Sequence, residues 1–81
     1  MVIGVPKETK ENEFRVGVVP VGVELLRQSG HMVLVEKDAG WGTSIPDADY
    51  VAAGAELVAG HDELFRRAEL IVKVKEPLPE E

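Results

Sequence analysis

Three runs of adjacent aliphatic residues constrain this chain more than anything else in it: Val2-Ile3-Gly4-Val5, Met32-Val33-Leu34-Val35 and Leu70-Ile71-Val72-Lys73-Val74. Runs that stay apolar at successive positions, instead of alternating, suit strands covered on both faces, as in a parallel sheet. Parallel neighbours require long crossovers, and the sequence between the runs supplies two. In the first, Pro20 to Ser29 places Val23 and Leu26 on one helical face, and Gly30 stands where the residue beyond a helix end belongs. The second holds Asp47 to Ala53, with Asp47 as its N-cap, then a short Ala55-Glu56-Leu57-Val58 segment, then His61 to Ala68 with Leu64 and Phe65 turned inward.

Right-handed crossovers then give a β-α-β-α-β unit with the first strand in the middle, order 2-1-3. The expected fold class is α/β: a small, open, mainly parallel sheet with flanking helices. Winding reverses about the first strand, and open α/β sheets bind ligands beyond the carboxyl ends of their strands at such a point. Pro6-Lys7-Glu8 follows strand one, and Lys73-Val74-Lys75-Glu76-Pro77 ends strand three, so cationic side chains converge where a ligand would sit.

Composition narrows the function classes. Eighty-one residues make one small domain, and the absence of cysteine removes disulfides and thiolate chemistry, leaving stability to packing or to a partner. A net charge of −6 argues against nucleic-acid binding. No run of eighteen apolar residues exists, and the first residues lack the basic and apolar stretches of a secretory signal. No membrane partner and a cytoplasmic location are therefore expected.

Each remaining motif has a plain reading beside a chemical one. Gly40-Trp41-Gly42 follows a strand, but the third glycine of a dinucleotide fingerprint would fall at Ile45, so a loop turn is expected, with Trp41 exposed. His31 and His61 have no nucleophile or metal ligand at usable spacing and read as structural. Glu11/Glu13 and Asp47/Asp49 are explained by a solvated loop and a helix start, so no metal site is expected. Arg15 precedes Val16-Gly17-Val18-Val19, read as a short strand that anchors the guanidinium near the sheet. Lys73 and Lys75 share one face of their strand. They form either an edge reaching into solvent or an anion site shared with Arg15.

Ordered blocks across the whole chain now carry a family likeness. Val2-Ile3-Gly4-Val5-Pro6-Lys7-Glu8, Asn12-Glu13-Phe14-Arg15-Val16, Gly30-His31, Asp49-Tyr50 with Ala53-Gly54-Ala55, and Val72-Lys73-Val74-Lys75-Glu76-Pro77-Leu78 resemble the N-terminal segment of bacterial alanine dehydrogenases. That segment is shared with the α subunit of nicotinamide nucleotide transhydrogenases. The resemblance implies that residues 1–81 are the N-terminal part of a Rossmann-like substrate domain of an oligomeric enzyme that oxidises L-alanine to pyruvate and ammonia. Its cofactor NAD would be bound by a domain absent from this chain, so no cofactor-binding residue is expected here. Carried over by position, Arg15 grips the substrate carboxylate, and Lys75, the one catalytic residue of the segment, meets the substrate near its reacting carbon. A guanidinium fork and an ammonium suit those tasks.

The sequence also departs from the family. Asp38 stands where the family usually has glycine, and Val19 where it tends to have a capping threonine. Two alternatives stay open: a transhydrogenase α-subunit fragment, and a non-catalytic module that binds a carboxylate or a partner protein. Because the nearest glycine pattern fails at Ile45, the isolated 81-residue polypeptide is expected neither to bind NAD nor to oxidise alanine. NADH formation by the pure chain would contradict this.

Overall fold

The computed structural model describes residues 1–9, 13–75 and 81. Its strands are β1 (Val2–Val5), β2 (Met32–Glu36), β3 (Glu56–Val58) and β4 (Leu70–Ile71), and its helices are α1 (Pro20–Gln28), α2 (Asp47–Ala53) and α3 (His61–Arg67). All pairings are parallel in the order β3-β2-β1-β4, with Val2 opposite Met32 and Ile3 opposite Leu70. The three runs thus take their expected 2-1-3 order as β2-β1-β4. The structure adds a fourth strand outside β2. Only three residues pair there, and their burial runs from exposed Glu56 to buried Val58, a signal too short to separate from a connection.

Side-chain alternation sorts the core into two layers. Val33 and Val35 of β2 join Val5, Val23 of α1, and Tyr50 and Ala53 of α2 on one face of the sheet. Leu34 points to the other face, where it meets Val58 and Leu64 of α3. Tyr50 is fully buried, and its hydroxyl donates to the Val18 carbonyl at 2.8 Å, which satisfies the one polar atom such a ring brings inside.

Local chemistry sets the element ends. Pro20 opens α1, where a missing amide sacrifices no helical bond. Gly30, at φ +90°, donates to the Arg27 carbonyl at 3.0 Å while His31 donates to Leu26 at 3.1 Å, the paired bonds of a Schellman ending. Asp47 is not an N-cap: Pro46 holds that position, and the Asp47 carboxylate instead accepts the Asp38 amide at 2.9 Å. That bond supports Asp38 at φ +66°, the left-handed region that explains why glycine suits this place.

Two further segments differ from expectation. Val16 to Val19 is irregular and not a strand, because its polar groups find other partners, the Val18 carbonyl taking the Tyr50 hydroxyl. Strand β4 stops at Ile71 instead of Val74. The Val72 amide still donates to Gly4, but the next ones turn to a side chain described below. No helix among the described residues is long and apolar enough to cross a membrane.

Val19 is the N-cap of α1, extended at φ −93° and ψ 167°, and contributes no side-chain bond to the helix amides. Val19→Thr is expected to stabilise the fold by about 1 kcal/mol, read as a higher urea midpoint at unchanged slope.

Candidate functional site

All four parallel strands exit at one end of the sheet, and three of these exits meet there: residues 6–9 and 13–19 after β1, 37–46 after β2, and 72–75 after β4. A buried carboxylate joins the first exit to the third. Glu8, 7% exposed, takes the Lys73 ammonium at 3.2 Å and the amides of Val74 and Lys75 at 3.0 and 3.3 Å. Burying an ionised carboxylate is unfavourable unless charge and hydrogen bonds replace water, and here both do. The diversion of these two amides to Glu8 is what ends β4 early.

A second buried carboxylate carries the cations. Glu13 Oε2 accepts the Arg15 amide at 2.9 Å and Nε at 3.0 Å, while Oε1 accepts Nη2 at 3.1 Å. The Lys75 ammonium lies 3.7 Å from Glu13 Oε1. Hydrogen bonds from the Arg15 side chain and backbone hold the Glu13 carboxyl at about 2, against the opposing effect of burial and with Lys75 adding a smaller pull. The Arg15 guanidinium is raised in turn, chiefly by its bonds to Glu13.

The structure therefore brings Arg15 and Lys75 to one carboxylate, that of Glu13. They reach it from adjoining clefts. Arg15 lines a cleft of about 220 Å³ with Lys7, Phe14 and Trp41. Lys75 lines another of about 430 Å³ with Lys73, Phe65 and Ile71. Glu13 stands between them. Lys73 neither reaches into solvent nor belongs to the anion site, since its side chain is 6% exposed and its ammonium meets Glu8 and, at 3.5 Å, Glu81.

Glu13 corrects the reading of a solvated loop carboxylate. The usable signal was its spacing, because residues two apart in extended chain share a side and place Glu13 within reach of Arg15. Its companion Glu11, with Glu76 and Pro77, lies outside the described residues. His61, expected to be without partners, has two carboxylates on its ring: Nδ1 and Nε2 lie 2.5 Å from Glu36 and Glu81 respectively. Burial pushes its imidazolium down, and the two carboxylates outweigh that and raise it.

Contacts at glycine hold the Arg15 loop in place. A Cβ on Gly17 would lie 2.5 Å from the Val72 carbonyl oxygen, and one on Gly42 would overlap the Phe14 backbone. Trp41 and its flanking glycines form a single 3₁₀ turn, with the indole exposed. The space beside Gly40 is filled by Ile45 and Tyr50 and that beside Gly42 by Phe14, so the turn does not fit the open backbone cradle a dinucleotide pyrophosphate needs.

Residues 4–81 match the model of the family described as alanine dehydrogenase/PNT, N-terminal domain. The chain belongs to this family. It is 57% identical over its full length to an alanine dehydrogenase of Methanococcus maripaludis. A solved L-alanine dehydrogenase superposes on 99% of the chain with a TM-score of 0.94 at 51% identity. A transhydrogenase from Sinorhizobium meliloti covers all of it with a TM-score of 0.92 at 36% identity. The alanine dehydrogenase/PNT segment seen here spans 22% of the length of the Methanococcus relative.

A carboxyl titration followed by NMR is expected to give Glu13 a midpoint of about 2. Because the folded value is depressed, the stability it contributes is present above the unfolded carboxylate range and is lost as pH falls through that midpoint. Arg15→Ala should return the Glu13 midpoint toward the ordinary glutamate range; an unmoved midpoint would show that Arg15 is not its cause.

Proposed function

We propose that this chain is the N-terminal part of the substrate domain of an alanine dehydrogenase, and that it supplies the groups that hold the carboxylate and carbonyl of pyruvate or the matching atoms of L-alanine. The observation that carries the reading is the convergence of Arg15 and Lys75 on Glu13 at the carboxyl ends of β1 and β4. Family membership and 57% identity to an alanine dehydrogenase support the same reaction class.

In this reading the Arg15 guanidinium offers a planar fork to the substrate carboxylate, fixing its orientation. The Lys75 ammonium meets the neighbouring carbonyl oxygen. In reductive amination that oxygen gains negative charge as the carbonyl carbon is attacked, and a cation set beforehand lowers the barrier without reorganising. The described residues offer no dinucleotide cradle, so the redox step falls to NAD held by a domain outside them. The small-molecule substrate, the homo-oligomeric assembly and the cytoplasmic location belong to this reading as well.

A transhydrogenase segment is the second reading, favoured by the close superposition on the Sinorhizobium meliloti protein. The two separate on substrate: one needs an amino or oxo acid, the other only two nucleotides.

Kinetics of a full-length enzyme carrying this segment test the proposal. Arg15→Ala should raise the KM for pyruvate by roughly 10- to 100-fold, the value of a lost charged hydrogen-bond pair. Lys75→Ala should lower kcat by about 100-fold, as for loss of one oxyanion donor. Arg15→Lys and Lys75→Arg should restore neither value, since a point charge and a planar fork are not interchangeable. Parental kinetics in both alanine variants would remove the site from these residues.

A further inference from the structure

Burial at the anion site is inverted. The Glu13 side chain is 3% exposed while the Arg15 side chain that it binds is 66% exposed. An ordinary surface ion pair leaves both partners wet and holds neither in place. Here a fixed, buried carboxylate grips one edge of a guanidinium that reaches toward a cleft. Glu13 uses Nε, Nη2 and the backbone amide of Arg15, and the Nη1 side of the fork is not among its contacts. Lys75, with its side chain 41% exposed, approaches the same carboxylate. Nearby, Lys73 is shared by two buried carboxylates, Glu8 at 3.2 Å and Glu81 at 3.5 Å, and brings no surplus cation. The trio of Arg15, Lys75 and Glu13 therefore carries two positive charges and one negative, a surplus of one.

We propose that Glu13 is the positioning residue of this site and matches it to a ligand with a single negative charge: it locks the inner edge of the Arg15 fork, leaves the outer edge for one carboxylate, and neutralises one of the two cations. The proposal rests on the reading of Arg15 and Lys75 as substrate-binding groups and adds a determinant of specificity to it. A 2-oxo monocarboxylate brings one charge and is balanced. A dicarboxylate of the same size brings two, and its second charge meets Glu13, while Lys7 and Asp38, which also line the Arg15 cleft, bring equal and opposite charges and leave no net cation to offset it. Such a residue acts on the ligand through Arg15 and through its field, without touching the reacting atoms.

The test uses two inhibitors of nearly equal shape, oxamate with one negative charge and oxalate with two, against a full-length enzyme carrying this segment. The ratio of their inhibition constants, taken on the same preparation, is insensitive to how much of a variant is folded. Glu13→Gln removes the charge and keeps an amide oxygen to accept from Arg15, so it is expected to shift the ratio about tenfold in favour of oxalate. Glu13→Asp keeps the charge but shortens the arm. It should hold the parental ratio while raising the KM for pyruvate by a larger factor than it lowers kcat.

An unchanged ratio in Glu13→Gln would overturn the proposal, and so would equal loss of both inhibitors, which would make Glu13 essential to any anion instead of a selector among them. Arg15→Ala and Lys75→Ala separate the two levels of argument. If neither alters either inhibition constant, the underlying site reading fails. If both lose the inhibitors while Glu13→Gln keeps the parental ratio, only the role of Glu13 fails.

Discussion

The buried carboxylate of Glu8 is the interaction on which the rest of this end of the molecule depends. It sits among Lys73 and the amides of Val74 and Lys75, four residues after Gly4 has accepted the last ladder bond from Val72. A strand that continued in register would turn the Val74 amide to β1 and the Lys75 amide to the opposite side, and would carry Lys75 along the sheet edge. By taking them, one side chain bends the chain out of the ladder and sets the backbone from which Lys75 projects. Replacing Glu8 with an apolar residue would leave the Lys73 ammonium, 6% exposed, short of its main counter-charge, a loss of about 3 kcal/mol by analogy with other broken buried pairs.

Much of the scaffold was legible because it follows from burial and backbone rules. Val33, Leu34 and Val35 are buried on both sides of the sheet, which is why their run does not alternate. Gly30 announces the end of α1 because few other residues adopt its φ of +90° without strain. The connections were harder. Three residues of β3 are too few for any periodicity, and Asp47 looks like a cap in sequence yet is recruited by the amide of Asp38, nine positions away. Val16 to Val19 has the composition of a strand but no strand beside it to pair with.

The site divides along the same line. Arg15 and Lys75 were identifiable as residue types suited to an anion and as members of a family pattern. Glu13 offered only its two-residue spacing from Arg15 and Glu8 offered nothing, because a carboxylate in a charged stretch has the same sequence appearance whether it is wet or buried. Only long-range contacts decide that, sixty-six residues apart for Glu8 and Val74. Sequence patterns thus pointed to the cations, while the burial of the counter-charges beside them became visible only in three dimensions.

The two glycine contacts bear on how this segment could be re-engineered. Gly17 backs onto the Val72 carbonyl and Gly42 onto the Phe14 backbone, so the loop that carries Arg15 is wedged between the exits of β2 and β4 with no room for a methyl group on either side. A combinatorial library aimed at accepting new acids would naturally diversify both loops. At positions 17 and 42 every member other than glycine would pry the guanidinium out of alignment before any new pocket chemistry could be sampled. The evolvable surface of this loop is correspondingly narrow: Phe14, Trp41 and their exposed neighbours can vary, while the two smallest residues hold the register.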